Sequence, residues 1–419
     1  MKNRIVLAWL VLGAAAGVFG PQDASAIPVF ARKYGFNCTM CHSNMPRLND
    51  FGQRYRMNGY QLPGLHNLEK TVLESPAPVA LRTSAGYTGT MFNERDGLPA
   101  SMAVPSNESD FRMNGLDLLS AGQLGRNVGY FMVYVPQIAS TRGVAGQEGS
   151  LEMASIVFSN LASTWLNARV GRFEPAYVPF SVKRQLSISP YDVYDATFLD
   201  GPALSGTQSG VEISGYDARC LQYAVGLVDG GGTNRAIDSP GDVYVRLAKV
   251  FGAGEGQTAG QRLGVVGYLG RARSAYTWYV RPANPGDTLR VSRARESFYR
   301  IGVDASLNLG HANLALQYMV AKDNQAFWAQ AEDVSYSGGF GELSWLPRTD
   351  LVGFARADYL DAPKIDNRDI LRLTAGGRYY IEDNVVVHCE VSRRTEKSVI
   401  TGVDDAADSF FAARVEFAF

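Results

Sequence analysis

The chain has 419 residues, with 40 basic and 41 acidic side chains and a formal net charge of -1, so its charge gives no sign of a nucleic-acid partner. Mean hydropathy is -0.11, and beyond the N-terminus no apolar run reaches the roughly 18 residues that a spanning helix needs. These figures exclude a polytopic helical membrane protein and would suit two or three ordinary soluble domains, although 44 glycines, 21 tyrosines and 20 phenylalanines are more than such domains require.

Residues 1–26 read as an export signal. Lys2 and Arg4 precede an uncharged apolar stretch from Ile5 to Phe19, and Ala24-Ser25-Ala26 supplies small residues at a cleavage site. The pattern is that of a secretory signal peptide. The rest of the chain is then expected to work outside the cytoplasm.

Four cysteines are present, and two of them fall in Cys38-Thr39-Met40-Cys41-His42. Cys-x-x-Cys-His is the attachment motif of c-type haem. Two thiols one helical turn apart can add to two vinyl groups on one porphyrin edge, and the adjacent histidine can then ligate the iron. A four-cysteine zinc site would need a second close pair, which the sequence lacks. A redox disulfide would call for a thioredoxin-like βαβ context, also lacking. The expectation is one covalent haem c, attached at Cys38 and Cys41 with His42 as the proximal ligand.

Residues 27–76 have the makings of a minimal cytochrome segment. Pro28 to Phe36 suits a short helix, and Pro46 suits the first turn of a second one. Leu48, Phe51 and Tyr55 give that helix an apolar stripe, and Asn58-Gly59 marks its end. For the sixth iron position the candidates are Met57 at the end of the helix, His66, or no strong ligand; methionine would raise the potential relative to a second histidine. Such a segment is near the size below which a domain rarely folds unaided. It is therefore expected to lean on, and plug, the domain that follows.

Residues 77–419 alternate with period two. Val243, Val245 and Leu247 oppose Tyr244 and Arg246; Leu371, Leu373 and Ala375 oppose Arg372 and Thr374. The polar face carries Arg246, Arg356, Arg372, Arg378 and Arg414, with Asp358, Glu390 and Glu416 among them. That face suits the wet lumen of a membrane barrel better than one side of a sandwich. Phe411, Val415, Phe417 and Phe419 share the other face of the last strand, an ending that resembles the terminal strand of bacterial outer-membrane proteins. The fold class expected is mainly β: an antiparallel transmembrane barrel of about 16 strands, within roughly 14–18, behind the small helical cytochrome segment. Long outer connections fall at 91–110, 174–207 and 271–296, and tight inner turns near Asp217, Gly310 and Glu382. Connections near 252–261 and 343–349 are longer than an inner turn should be, and 174–207 has room for two further strands. Cys220 is expected to face the lumen and Cys389 the lipid, and His388 and Glu390 to meet inside by a hydrogen bond.

The stretch from Ala26 to Tyr34, the motif Cys38–His42, Pro46-Arg-Leu-Asn-Asp-Phe-Gly52 and Asn58-Gly-Tyr60 together resemble the fused cytochrome–porin family, whose studied members are outer-membrane iron oxidases. Over the barrel the match is one of architecture. The resemblance implies an outer-membrane location and single-electron transfer between an extracellular donor, iron(II) or another reductant, and a periplasmic c-type cytochrome. As an enzyme this would be an iron(II):cytochrome oxidoreductase. Electron export to an outside acceptor would use the same parts, and a diffusion porin with a haem-bearing plug is the competing expectation. Arg32, Arg47, Arg54 and Arg56 are candidates to pair with lumen acids or haem propionates. Acidic loop residues Glu94, Asp96, Asp404, Asp405 and Asp408 could concentrate external cations.

Overall fold

The computed structural model describes residues 34–36, 40–62, 70–72, 74, 79–93, 107–136, 149–196, 203–217, 219–230, 241–252, 260–273, 295–327, 332–362, 368–382, 384–397 and 404–418. Among the helices that lie wholly within the described residues, one, α1 (Asp50–Met57), precedes the sixteen strands. They are β1 (Val79–Phe92), β2 (Glu108–Gly125), β3 (Val128–Val135), β4 (Ser150–Phe158), β5 (Asn167–Phe173), β6 (Gln208–Tyr216), β7 (Leu221–Val228), β8 (Asp242–Phe251), β9 (Gln261–Arg273), β10 (Arg295–Leu309), β11 (Ala312–Phe327), β12 (Glu332–Arg348), β13 (Leu351–Ala362), β14 (Arg368–Glu382), β15 (Val385–Glu396) and β16 (Ala406–Ala418). Between β5 and β6 lies a one-turn helix, α2 (Asp192–Asp195).

All strands pair antiparallel with their chain neighbours, and β1 pairs with β16 from Arg82↔Ala418 to Phe92↔Asp408. Closure leaves no strand edge unpaired, the condition for a sheet to sit in hydrocarbon. In β8, Val243, Val245 and Leu247 are 42%, 41% and 45% exposed, while Tyr244 is 1% exposed. The same outward apolar residues recur on β7, β9 and β10, with Trp165, Trp345 and Tyr359 among the exposed aromatics. An apolar outside of this kind is what lipid requires. None of the described helices is long and apolar enough to cross a membrane.

The turns between β2 and β3, β10 and β11, and β12 and β13 are two residues each. At Gly310 the φ of +61° is one that glycine reaches without strain. The strand expected to end at 342 instead runs on to Arg348, so the supposed connection 343–349 is mostly strand. Its Pro347 is tolerated because the β12–β13 register shifts between Trp345 and Arg348. The connection 174–207 contains no strand among its described residues, so the barrel has sixteen strands. Cys389 is half-buried on the face opposite His388 and Glu390, whereas Cys220 sits in the β6–β7 turn with φ 60° rather than on a lumen-facing strand.

Candidate functional site

The site starts from a short knot of chain ahead of the barrel. Asn49 caps α1: its side-chain oxygen accepts from the Gly52 amide at 2.9 Å. The same side chain donates to the Met40 carbonyl at 3.1 Å, and the Asn49 amide donates to the Cys41 carbonyl at 2.9 Å. A β-bridge joins His42 to Leu48. Cys41 and His42 are thereby folded back against the start of α1. The helix begins at Asp50 rather than near Pro46, because the capping side chain is Asn49; Pro46 lies in the preceding turn. Of the expected stripe only Tyr55 is fully buried; it meets Tyr34 and Tyr60 edge-on at 6.2 and 5.9 Å. Asn58 and Gly59 end the helix as expected.

His42 donates from Nδ1 to the Pro46 carbonyl at 2.9 Å. That bond leaves Nε2 as the lone-pair nitrogen of a neutral ring, the arrangement by which proteins orient a histidine ligand. Burial, with Arg184 adding to it, lowers the His42 pKa to about 4, so the ring is neutral at ordinary pH. Burial raises the Cys41 thiol to about 11. Cys41 is a free thiol in the structure. Cys38 and His66 lie outside the described residues, as do Arg32, Glu94 and Asp96.

Inward-facing side chains grip this knot around the lumen. Asn44 donates to Ser344 at 2.6 Å, Tyr380 donates to the Met45 carbonyl at 3.0 Å, and Gln222 donates to Asp50 at 2.8 Å. Arg47 is bound by Glu342 at 2.5 Å and Asn313 at 3.2 Å. Tyr60 stacks on Phe131 at 5.6 Å, and Gln61 donates to Gln123 at 2.6 Å. Asn160, in the β4–β5 turn, donates to Asn58 at 2.7 Å. The knot therefore occupies the mouth of the barrel that carries the short turns.

From the other side the long β5–β6 connection folds inward. Glu390 accepts from the Ile188 and Ser189 amides at 2.5 and 2.8 Å. Arg356 donates to the Ser189 and Pro190 carbonyls at 2.9 and 2.6 Å, and Arg372 pairs with Asp192 at 2.9 Å. Tyr177, Phe180, Tyr191 and Tyr194 pack on the inward faces of Tyr244, Tyr268 and Phe340 in one buried cluster. The expectation of a wet, mixed-charge lining fails here: Arg356 is 3% exposed, and its charge is spent on loop carbonyls and Asp358. His388 and Glu390 do face inward together at 3.3 Å, with Glu416 at 3.0 Å from the ring. Among the described residues no cluster of metal-ligating side chains occurs.

The knot and the inward loop meet. Arg47 donates to the Tyr191 hydroxyl at 3.1 Å, and Arg56 lies 3.5 Å from Glu174. Burial would raise Glu174, but Arg56 and Arg184 beside it hold its carboxyl below the usual range. Between them lies a cavity of about 140 Å³, bounded by Leu48, Gln53, Met57, Val178 and Phe180 among others. Met57, last residue of α1, borders this space, whereas His42 is not among the residues that line it. Sequence reasoning missed the loop contacts and the cavity. The one available signal was the aromatic content of 174–207, too apolar for a solvent-exposed loop.

No protein-family model matches the sequence, and no curated protein does. Solved structures do match in fold. The anion-selective porin from Comamonas acidovorans aligns with a TM-score of 0.56 at 13% identity, covering 82% of this chain and 100% of that one. The outer-membrane channel DcaP of Acinetobacter baumannii aligns at 0.54 and 9% identity, over 82% and 97% of the two chains. OmpT of Vibrio cholerae aligns at 0.53 and 11% identity, over 84% and 100%. At such identities the likeness is one of fold. With the apolar exterior, the fold is that of a porin-like barrel of sixteen antiparallel strands.

Proposed function

We propose that the chain is an outer-membrane electron conduit, carrying single electrons between an extracellular donor, iron(II) or another reductant, and a periplasmic c-type cytochrome. The observation that carries this reading is the pre-set His42 ring, its Nδ1–H held by Pro46 at 2.9 Å, beside Cys41 in a plugged lumen. The group proposed there is one haem c, held by Cys38, Cys41 and His42, with Met57 or His66 as the candidate for the far side. Bound there, it would supply one-electron redox chemistry, and no acid, base or nucleophile is required of the protein. The chain's own part is positional. Asn49 ties the Cys41 carbonyl and Met40 to α1, and Asn44, Arg47 and Gln61 fix the knot to the wall. The aromatic packing of the inward loop excludes water from one side. A hydrocarbon layer is about 30 Å thick, and a redox centre inside the lumen would shorten the distance to be crossed.

A second reading is favoured by the structural neighbours, which are channels and porins: a diffusion porin whose knot and loop narrow the lumen. Purified protein in liposomes separates the two. Iron(II) outside should reduce a cytochrome enclosed within, and His42→Ala should abolish this while the barrel still folds. If instead small solutes pass and the enclosed cytochrome stays oxidised, the diffusion reading stands and the conduit fails.

A further inference from the structure

Six guanidiniums border the cavity, and they come from three parts of the chain. Arg47 and Arg56 belong to the knot, Arg184 to the inward loop, and Arg169, Arg246 and Arg262 to strands β5, β8 and β9 of the wall. Four carboxylates pair with them. Arg47 has Glu342 at 2.5 Å and Arg169 has Glu212 at 2.6 Å. Arg56 and Arg184 share Glu174, at 3.5 and 3.4 Å. Arg246 and Arg262 share Asp304, at 2.6 and 3.5 Å. Asp50, also nearby, is engaged by Arg54 at 2.9 Å. Six cations against four anions leave two positive charges in excess around one small space. The side chains of Arg47, Arg246 and Arg262 are only 9%, 10% and 9% exposed. Among the described residues, the Nε atoms of Arg56, Arg169 and Arg262 are buried with no hydrogen-bond partner. Burial, together with the repulsion of Arg56, pulls the Arg184 guanidinium down to about 10. Buried charge in this state is unfavourable unless an anion joins it.

We infer that this cavity holds one inorganic oxyanion of the phosphate or sulfate class, bound as a dianion, and that the ion is a resident bridge between knot, loop and wall. The donors select that chemistry. Guanidiniums offer paired N–H groups whose spacing matches two oxygens of such an ion, and donors converging from three parts of the chain suit a tetrahedral ligand better than a planar one. One dianion balances the excess of two charges, whereas chloride leaves one charge uncompensated. Size agrees. The cavity is about 140 Å³ and a bound water needs roughly 10–15 Å³, so a four-oxygen ion enters with room for a few waters. Arg47 and Arg56 sit on the knot that occupies the short-turn mouth, so the ion is held in place and not conducted. The inference goes beyond the conduit reading and does not depend on it.

Arg184→Gln with Arg262→Gln is the informative variant. Each change leaves the remaining arginine of its pair matched one to one with an acid, so folding of the barrel is spared, as the heat-modifiable gel shift checks. Should the double variant not fold, Arg184→Gln alone, in the loop and outside the wall, is read in the same way. The full-length parent and variant are dialysed to equilibrium against radiolabelled inorganic phosphate in potassium chloride, with unlabelled sulfate as competitor. Expected are saturable binding of one phosphate per chain in the parent, displacement by sulfate, and affinity about tenfold or more weaker in the variant, since each lost contact is a hydrogen bond to a charged group. A bound ion also stabilises the state that binds it, so phosphate should slow proteolysis of residues 40–62 in the parent and not in the variant. No saturable binding by the parent overturns the inference. Equal affinity in parent and variant places the ion elsewhere and overturns it too. Binding with no effect on proteolysis of the knot overturns the bridging role. Anion-selective conductance in a planar bilayer, lost in the variant and without saturable binding, would assign these arginines to passing ions and overturn the resident site.

Discussion

Gly52 has no side chain because the Cys41 carbonyl lies where a Cβ would be. The contact joins the cysteine–histidine loop to α1, and no rotamer change relieves a clash with backbone. Gly52→Ala should cost about 1–3 kcal/mol of local packing. The expected result is faster proteolysis between residues 40 and 62, with the heat-modifiable gel shift of the folded barrel unchanged. A similar constraint acts at Gly129, where a Cβ would strike the Gly59 carbonyl. Gly59 itself has φ +65°. Sequence reading recovers Asn58-Gly59 as a helix stop, because a positive φ has a local residue preference. It cannot recover the reason for Gly52 or Gly129, since the colliding atoms belong to other segments.

The inward loop between β5 and β6 is the element whose behaviour departs furthest from its sequence. Its amides at Ile188 and Ser189 are paired by Glu390, over 200 positions away. Glu390→Ala leaves those two donors unpaired in a buried place, at about 1–3 kcal/mol each. The loop should then detach, and single-channel conductance in a planar bilayer should rise above that of the parent; unchanged conductance would show that the loop does not block the lumen. A long connection reads as an outer loop on length alone, and its partners Arg356, Arg372 and Glu390 read as lumen lining. Each half of that reading is locally sound. What joins them is the curvature of the sheet, which aims inward side chains from β13, β14 and β15 at a loop leaving β5.

At the scale of the whole molecule two balances matter, one with lipid and one with protons. Val303, 53% exposed near the middle of β10, meets hydrocarbon; Val303→Arg should cost about 2–4 kcal/mol and lower the yield of barrel folded into vesicles. The proton balance runs through Glu174, which links Arg56 of the knot to Arg184 of the loop. Its carboxyl is held below the usual range despite burial. The link is therefore complete above an unperturbed glutamate's value of about 4.3, and is lost as pH falls through the lower folded value. Proteolysis of residues 40–62 by an acid-active protease should accelerate in that acid range, and Glu174→Gln should make the parent's low-pH rate appear at neutral pH. A rate independent of pH in the parent would remove Glu174 from this role.

The barrel itself was determined by sequence alone. Period-two alternation, apolar on one face and mixed on the other, persists through sixteen segments whatever the rest of the chain does, and tight turns punctuate it. The Cys-x-x-Cys-His motif is likewise local, and so is the cap that ends α1. Only the tertiary structure decided what fills the lumen. The match of Arg47 to Glu342, of Glu390 to Ser189, and of six guanidiniums to four carboxylates arises when the closed sheet brings distant residues to one enclosed space. Sequence separation carries no record of that closure, and charge composition, near zero for the chain, hides the local excess that the enclosed space creates.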